Sequence, residues 1–444
     1  MTAVTPVDRG SAGSEPERER PLRDADAPFV RVTTGTDQAA LRRAHLGLVL
    51  RSLRDEGGRS RAQLAADLGL TRAVASGLVG ELEARGLVCP GARQRGAVGR
   101  PGTTVELDAG LVCGLGAEVN VDHVSALAVD LGGDVVAERR VGLATRRLTP
   151  DEVLDELAAI LRDTLAELTV GQGRHVAGVT VGVAGLVDAA HEVVTLAPNL
   201  GWRDLPVAQG LRDRLTSAPA PLSVDNEANL AASAEIDPAD PDRSDMLVVF
   251  GEVGVGGGVV ADGRLRRGRH GFAGEFGHMI VDPQGRPCAC GRVGCWETVV
   301  GLRALLEAAT DPDDPVRDPA LTLEDRLAGL AERARRGDTR TLAALHEIGS
   351  WLGTGAAVLV NALDPGVVVL GGYFAALGQW LRPAVEEQLA AGVLASRLGE
   401  TAVVVSTLGP TAAVRGAALA SLEHVFLDPT AVPRRAETLN GAAR

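Results

Sequence analysis

The chain has 444 residues, 45% of them apolar and only 2% aromatic, with a net charge of −13 at pH 7. That length exceeds what one hydrophobic core usually supports, so two or three domains packed almost wholly by aliphatic side chains are expected. Five cysteines do not make a secreted disulfide framework, and no charged-then-apolar leader or 18-residue apolar run is present, so a cytoplasmic protein off the membrane is expected.

Charge is unevenly spread. Lysine is absent, residues 39–104 carry eleven arginines against five acids, residues 1–38 carry −2, and the remainder carries −17. A small basic module joined to a large acidic body serves either solubility or a polyanionic partner.

Residues 1–38 mix Pro, Gly, Ser and charges without periodicity and read as a disordered leader. From Leu41, "LRRAHLGLVLRSLRDEG" sets Leu41, Leu46, Val49, Leu50 and Leu53 on one helical face, and Gly57-Gly58 ends it. Ser60 suits the N-cap of "RAQLAADLG". After a turn at Gly69-Leu70, Thr71 suits the N-cap of "RAVASGLVGELEARG". Helix, short glycine turn and helix form a helix-turn-helix, with Leu64, Ala65, Leu68, Val74, Leu78 and Leu82 spaced to pack it. The text "LVCPGARQRGAVGRPGTTVEL" then reads as a β-hairpin wing.

Residues 39–106 are therefore expected to bind double-stranded DNA, although a three-helix unit also serves protein interactions. The second helix of such a unit enters the major groove, which puts Thr71, Arg72 and Ser76 near base edges. Arg72 carries the planar fork that matches both acceptors of guanine. Ser60 and Arg61 are placed for phosphates, and Arg93, Arg95 and Arg100 on the wing for phosphates or a narrow minor groove.

From residue 107 to about 428 strands and helices alternate as an α/β body with two lobes. "CGLGAEVNVDHVSALAVDLGGDVV" reads as a hairpin turning at Gly132-Gly133, a helix covers 150–168, and "GVVVLGG" is a strand. The tail from 429 to 444 reads as loose.

Within the body, "GHMIVDPQGRPCACGRVGCWE" gathers His278, Cys288, Cys290 and Cys295. C-x-C is not the C-x-x-C redox spacing, and three thiolates with one imidazole make a closed tetrahedral set suited to structural zinc. Buried unliganded thiols are the competing reading.

That segment, with "GRLRRGRHGFAGEFGHMIVD" before it, resembles the signature of the ROK family (repressors, open reading frames and sugar kinases). Further blocks follow the family's order: "GVTVGVAGLVD", "APNLGWRDLP", "VDNEANLAASAE" and "LDPGVVVLGG". The Gly-Arg-Pro wing at 99–101 is similar to that of the family's transcriptional regulators. The resemblance implies a two-lobed, actin-like ATPase body behind a winged helix-turn-helix. It also implies a sugar held by Asn199, Asn226, Glu227, Glu275, His278 and Glu297, with His278 shared between zinc and sugar.

Two departures from the family's kinases point to lost catalysis. The catalytic Asp position holds Glu227, one methylene longer, and positioning carries much of phosphoryl transfer. The Asp-x-Gly-Gly-Thr phosphate loop corresponds to "EVNVD" (118–122), where Asn120 and Val121 bring side chains to a place of close backbone approach and Asp122 adds negative charge. Val253 stands where the second phosphate loop has Thr, and the glycines after it shape a turn. The expected protein is a sugar-sensing repressor, homodimeric or homotetrameric, without enzymatic activity. An active kinase that also binds DNA, and a regulator whose effector is not a free sugar, are the alternatives.

Overall fold

The computed structural model describes residues 37–93, 103–215, 221–237, 240–252, 254–318, 321–396 and 401–435. Contacts divide the chain into Met1–Leu41 and Arg42–Arg444. The expected leader lies outside the described residues except at its last two positions.

Helix α1 spans Gln38–Glu56, α2 Arg61–Asp67 and α3 Arg72–Arg85. Leu46, Val49, Leu50 and Leu53 of α1 are buried as the spacing predicts, whereas Leu41 is 46% exposed. Val74, expected in the core, is also exposed, and Ala75 is buried in its place. Positions 75, 78, 79 and 82 form the i, i+3, i+4, i+7 stripe of α3, and 74 falls off that stripe. The wing strands Val88–Arg93 and Thr103–Leu107 pair antiparallel, and Arg59–Ser60 adds a short third strand that the sequence pattern does not announce. The loop carrying Arg95 and Arg100 lies outside the described residues.

Two five-stranded sheets follow, built to one plan. The first holds Val112–Val119, His123–Asp130, Val135–Gly142, His175–Val183 and Leu222–Asn226; the second holds Met246–Gly251, Val255–Ala261, Arg264–Leu265, Val367–Gly372 and Ala402–Val405. Counted within each lobe, both have strand order 3-2-1-4-5, an antiparallel meander followed by two parallel strands. The valine-rich central strands are buried along their length except at His175, because helices cover both faces of such sheets. The turn expected at Gly132-Gly133 is present, with Gly133 at φ +85°. A second turn at Asn120–Asp122 makes the segment a three-stranded meander rather than one hairpin.

The C-terminal helix, Ala412–Leu427, joins the parts. Its small residues let it lie directly on backbone. A Cβ on Gly116 would come within 2.1 Å of the Val414 carbonyl oxygen, and one on Gly416 within 1.9 Å of the Leu230 carbonyl oxygen. Ser421 Oγ donates to the Leu115 carbonyl at 2.9 Å. Further along, Leu422, Val425 and Phe426 share one core with Leu46, Leu50, Val79 and Leu82. At the same end, a Cβ on Gly47 of α1 would meet the Phe426 carbonyl at 2.4 Å. The stretch read as loose from 429 is packed as far as Arg435. Val432 is buried, Arg85 donates to the carbonyls of Thr430 (2.9 Å) and Val432, and Arg435 pairs with Asp108 at 2.6 Å. Gly416→Val is expected to destabilise the protein by about 1–3 kcal/mol through overpacking, read as a lower urea midpoint. An unchanged midpoint would show that the helix is held more loosely than this geometry requires.

Candidate functional site

At the basic end, α3 presents Thr71, Arg72 and Ser76 to solvent at its N-terminal turns. Thr71 caps the helix, its hydroxyl accepting from Val74 N–H at 3.3 Å. The two expected phosphate contacts at α2 are engaged within the protein. Ser60 forms a capping box with Gln63, and Arg61 donates to Glu83 at 2.6 Å. Arg93 closes its strand, while Arg95 and Arg100 lie outside the described residues. Gly77 and Gly80 are exposed on α3 and a Cβ at either meets nothing within 4 Å. Each Gly→Ala change there is expected to stabilise the protein by about 1 kcal/mol, checked by thermal melting, since helix propensity alone is altered. A lowered midpoint would mean that α3 needs glycine's freedom.

At the other end, His278, Cys288, Cys290 and Cys295 bring their ligand atoms within 4.8 Å of one another. Cys290 Sγ lies 3.6 Å from Cys295 Sγ, and Cys288 Sγ 3.7 Å from His278 Nδ1. Tetrahedral zinc with its usual bonds has edges of about 3.5–3.8 Å, so the donor set and spacing fit that ion. The sulfur separation is far beyond a disulfide bond of about 2 Å. Two left-handed glycines fold the segment back, Gly291 (φ +87°) and Gly294 (φ +79°), and at Gly294 a Cβ would overlap the Asp282 carbonyl at 1.7 Å. The segment is pinned from behind by Trp296, whose Nε1 donates to the Trp351 carbonyl at 2.8 Å and whose indole occupies the space left by Gly355.

Asn199, Asn226, Glu227, Glu275, His278 and Glu297 all line a single cavity of about 540 Å³. His278 turns Nδ1 to the cysteines and Nε2 to Glu275, 3.9 Å away, so one ring edge is left for the cavity. Glu297 lies 2.7 Å from Cys288 Sγ and 3.6 Å from His278 Nδ1, which makes the cysteine segment and the cavity wall one unit. Asn226 is partly committed to the fold. It caps the helix Glu227–Ala234 by accepting from Asn229 N–H at 2.9 Å and donates to the Gly185 carbonyl at 2.8 Å. Its second donor and second lone pair remain for a ligand. Gly254 borders Glu297 and Asn199 in the cavity, whereas Gly256 and Gly258 let the strand approach Ala228 and Ala232. Those glycines serve helix packing rather than only a turn.

The cavity floor holds an acidic group that the sequence reading missed. Glu118 and Glu252 are buried and meet half-buried Glu227, with one oxygen of each within 4.8 Å of the others. Burial, reinforced by the neighbouring carboxylates, pushes Glu227 well above the usual carboxylate range and Glu252 up to about 8. Burial alone would lower His123, but its hydrogen bonds to Asp122 and Glu118 and the carboxylates around it lift it to about 10. The signal for Glu252 in the sequence was a lone acid entering a glycine-rich apolar strand pair.

A winged helix-turn-helix joined to a two-lobed, actin-like body of the sugar-kinase type is the class that this fold and cleft define. The sequence pattern of the ROK family matches residues 115–423, and the chain belongs to the ROK family. The xylose repressor of Bacillus subtilis (strain 168) is 26% identical over 88% of this chain and 98% of its own length. A crystal structure of a ROK family transcriptional regulator, a homologue of the E. coli MLC protein, shares the fold, with a TM-score of 0.70 at 24% identity over 87% of this chain and 97% of that one. A ROK family glucokinase from Streptomyces griseus in complex with glucose and AMPPNP matches with a TM-score of 0.57 and 28% identity, over 70% of this chain and 99% of its own.

Proposed function

We propose that the chain is a sugar-responsive transcriptional repressor whose body senses the sugar and no longer phosphorylates it. The observation that carries this reading is the convergence of six carboxylate, amide and imidazole side chains on one cavity in a chain that also exposes Arg72 at the first turn of α3. Carboxylates and amides accept from and donate to vicinal hydroxyls in pairs, which suits a sugar. His278, Cys288, Cys290 and Cys295 would hold structural zinc, which orients His278 toward the cavity. Thr71, Arg72 and Ser76 would contact operator bases, with Arg93, Arg95 and Arg100 as wing contacts.

The route between the two ends is short. The helix Glu227–Ala234 starts at the cavity and abuts Gly416 through Leu230, and the C-terminal helix ends against Gly47 of α1. Sugar binding at Asn226 and Glu227 would shift this stack and with it α1–α3. In a homodimer on two half-sites about one helical turn apart, such a shift spoils the spacing and releases DNA.

Catalysis is opposed by Asn120 and Val121, whose side chains line the cavity where, by the family resemblance, phosphates approach bare glycine backbone. Genome-wide mapping of bound sites, followed by operator binding in the presence of candidate sugars, tests the reading: one sugar should release the operator. Failure to bind any DNA site would sink it, and steady sugar phosphate production from ATP would replace it with an active kinase. Release by a sugar phosphate, with no heat from any free sugar in calorimetry, would instead identify a phosphorylated effector.

A further inference from the structure

Three large apolar side chains line the cavity without belonging to any of the apolar cores: Leu186, Leu196 and Phe272. Leu186 and Leu196 are half-buried cross-strand partners, so their strand pair gives the cavity an apolar edge. Phe272 is 40% exposed on the loop that runs from the strand Arg264–Leu265 to Glu275. That loop is fixed at both ends. Arg267 pairs with Asp225 of the other lobe at 2.6 Å, and at Gly274 (φ +106°) a Cβ would meet the Gly257 carbonyl oxygen at 2.2 Å. Between those anchors the loop passes the strand of Leu186, where a Cβ on Gly271 would stand 3.8 Å from the Val187 carbonyl oxygen. Arg292 reaches the same cavity from the cysteine segment, its carbonyl accepting from Cys288 N–H at 2.8 Å. Its side chain is exposed and makes no ion pair or hydrogen bond among the described residues. A lone apolar side chain at a surface is ordinary, but three that border one cavity mark a ligand surface.

We propose that the effector is larger than one sugar ring: the six polar side chains hold one ring, and Leu186, Leu196, Phe272 and Arg292 form a second subsite that takes the further ring of a disaccharide. The proposal rests on the sugar-sensing reading above and names the ligand class within it. The cavity volume of about 540 Å³ lies in the range of about 300–1,000 Å³ that suits drug-sized ligands, with room beyond a single pentose or hexose. A pyranose ring has an apolar C–H face and a rim of hydroxyls. The Phe272 ring and the leucine pair match the face, and a guanidinium, which only donates, matches the rim. A free monosaccharide would leave both parts of the subsite empty, and an aglycone without hydroxyls would leave Arg292 idle. A phosphate substituent would use Arg292 alone, and it would be repelled by Glu227, Glu252, Glu275 and Glu297, which line the same cavity.

The test is calorimetry on the full-length, zinc-loaded protein with a panel of pentoses and hexoses, xylose and glucose among them. Each is also supplied as its α- and β-linked disaccharides, its phenyl glycoside and its phosphate. One disaccharide is expected to bind at least about tenfold more tightly than its own single ring. Phe272→Ala and Arg292→Ala should each take away most of that gain, the affinity for the single ring falling far less. Both side chains are exposed, so both variants are expected to fold and keep their zinc, which melting and metal analysis check. A single ring that binds as tightly as all its glycosides would overturn the proposal, as would a disaccharide advantage that survives both variants. A phenyl glycoside or a sugar phosphate preferred over every disaccharide would overturn it in favour of that ligand. Silence in every arm would instead overturn the sugar-sensing reading itself, and the proposal with it.

Discussion

Cys290→Ser is expected to take zinc content from one equivalent per chain to none and to abolish sugar-induced release of the operator. Four donors make the cluster, with Cys290 Sγ 3.6 Å from Cys295 Sγ and Cys288 Sγ 3.7 Å from His278 Nδ1, and a serine hydroxyl is a far weaker zinc donor than the thiolate it replaces. His278 would then lose the ion that fixes its ring, and Cys288, 2.7 Å from Glu297, would lose the ion that holds it at the cavity wall. Sugar affinity should fall by on the order of tenfold or more, the usual scale for groups that orient a site through a metal. The rest of the body is expected to stay folded, because Trp296 is anchored independently on Trp351 and Gly355. Metal analysis, calorimetry with the identified sugar and operator binding read the three effects separately. Normal sugar affinity in a zinc-free protein would refute the coupling.

Arg72→Ala should weaken operator binding by roughly tenfold to a hundredfold at fixed salt, the worth of about 1–3 kcal/mol for a bidentate base contact. Arg72 is exposed at the first turn of α3, next to the Thr71 cap, where a recognition helix points its side chains at base edges. If Arg72 reads a base as proposed, the change should relax the preference at one position of the site while leaving affinity for unrelated DNA nearly constant. Arg61 supplies the contrast. Its charge is already paired with Glu83, so Arg61→Ala should alter binding far less. Binding titrations on the mapped operator and its single-base variants decide the matter, and equal loss on every sequence would reassign Arg72 to the phosphates.

Local chemistry made much of the recognition unit legible. The Ser60 and Thr71 caps, the Gly69 turn and the 3.6-residue spacing of Leu64, Leu78 and Leu82 act over a few residues, and the structure places each as read. Val74 was misplaced because one residue on a helix turns the side chain by about 100°, so a stripe edge is the hardest position to assign from spacing. The six cavity residues were legible only through the family resemblance, since they are spread over almost a hundred positions and no periodicity links them.

Composition and short-range pattern by themselves determined that this protein is a basic helix-turn-helix on an acidic α/β body with a tight Cys3His cluster, because charge, helix caps and ligand spacing are local quantities. The tertiary structure alone decided three other matters. It brought Glu227 and Glu252 together with Glu118 from more than a hundred residues away, it packed the tail to Arg435 against α3 and the turn after the strand Thr103–Leu107, and it laid the C-terminal helix between the cavity and the helix-turn-helix. Each depends on long-range packing, in which glycine is chosen for the backbone that approaches it and a carboxylate is perturbed by neighbours its own sequence context does not contain.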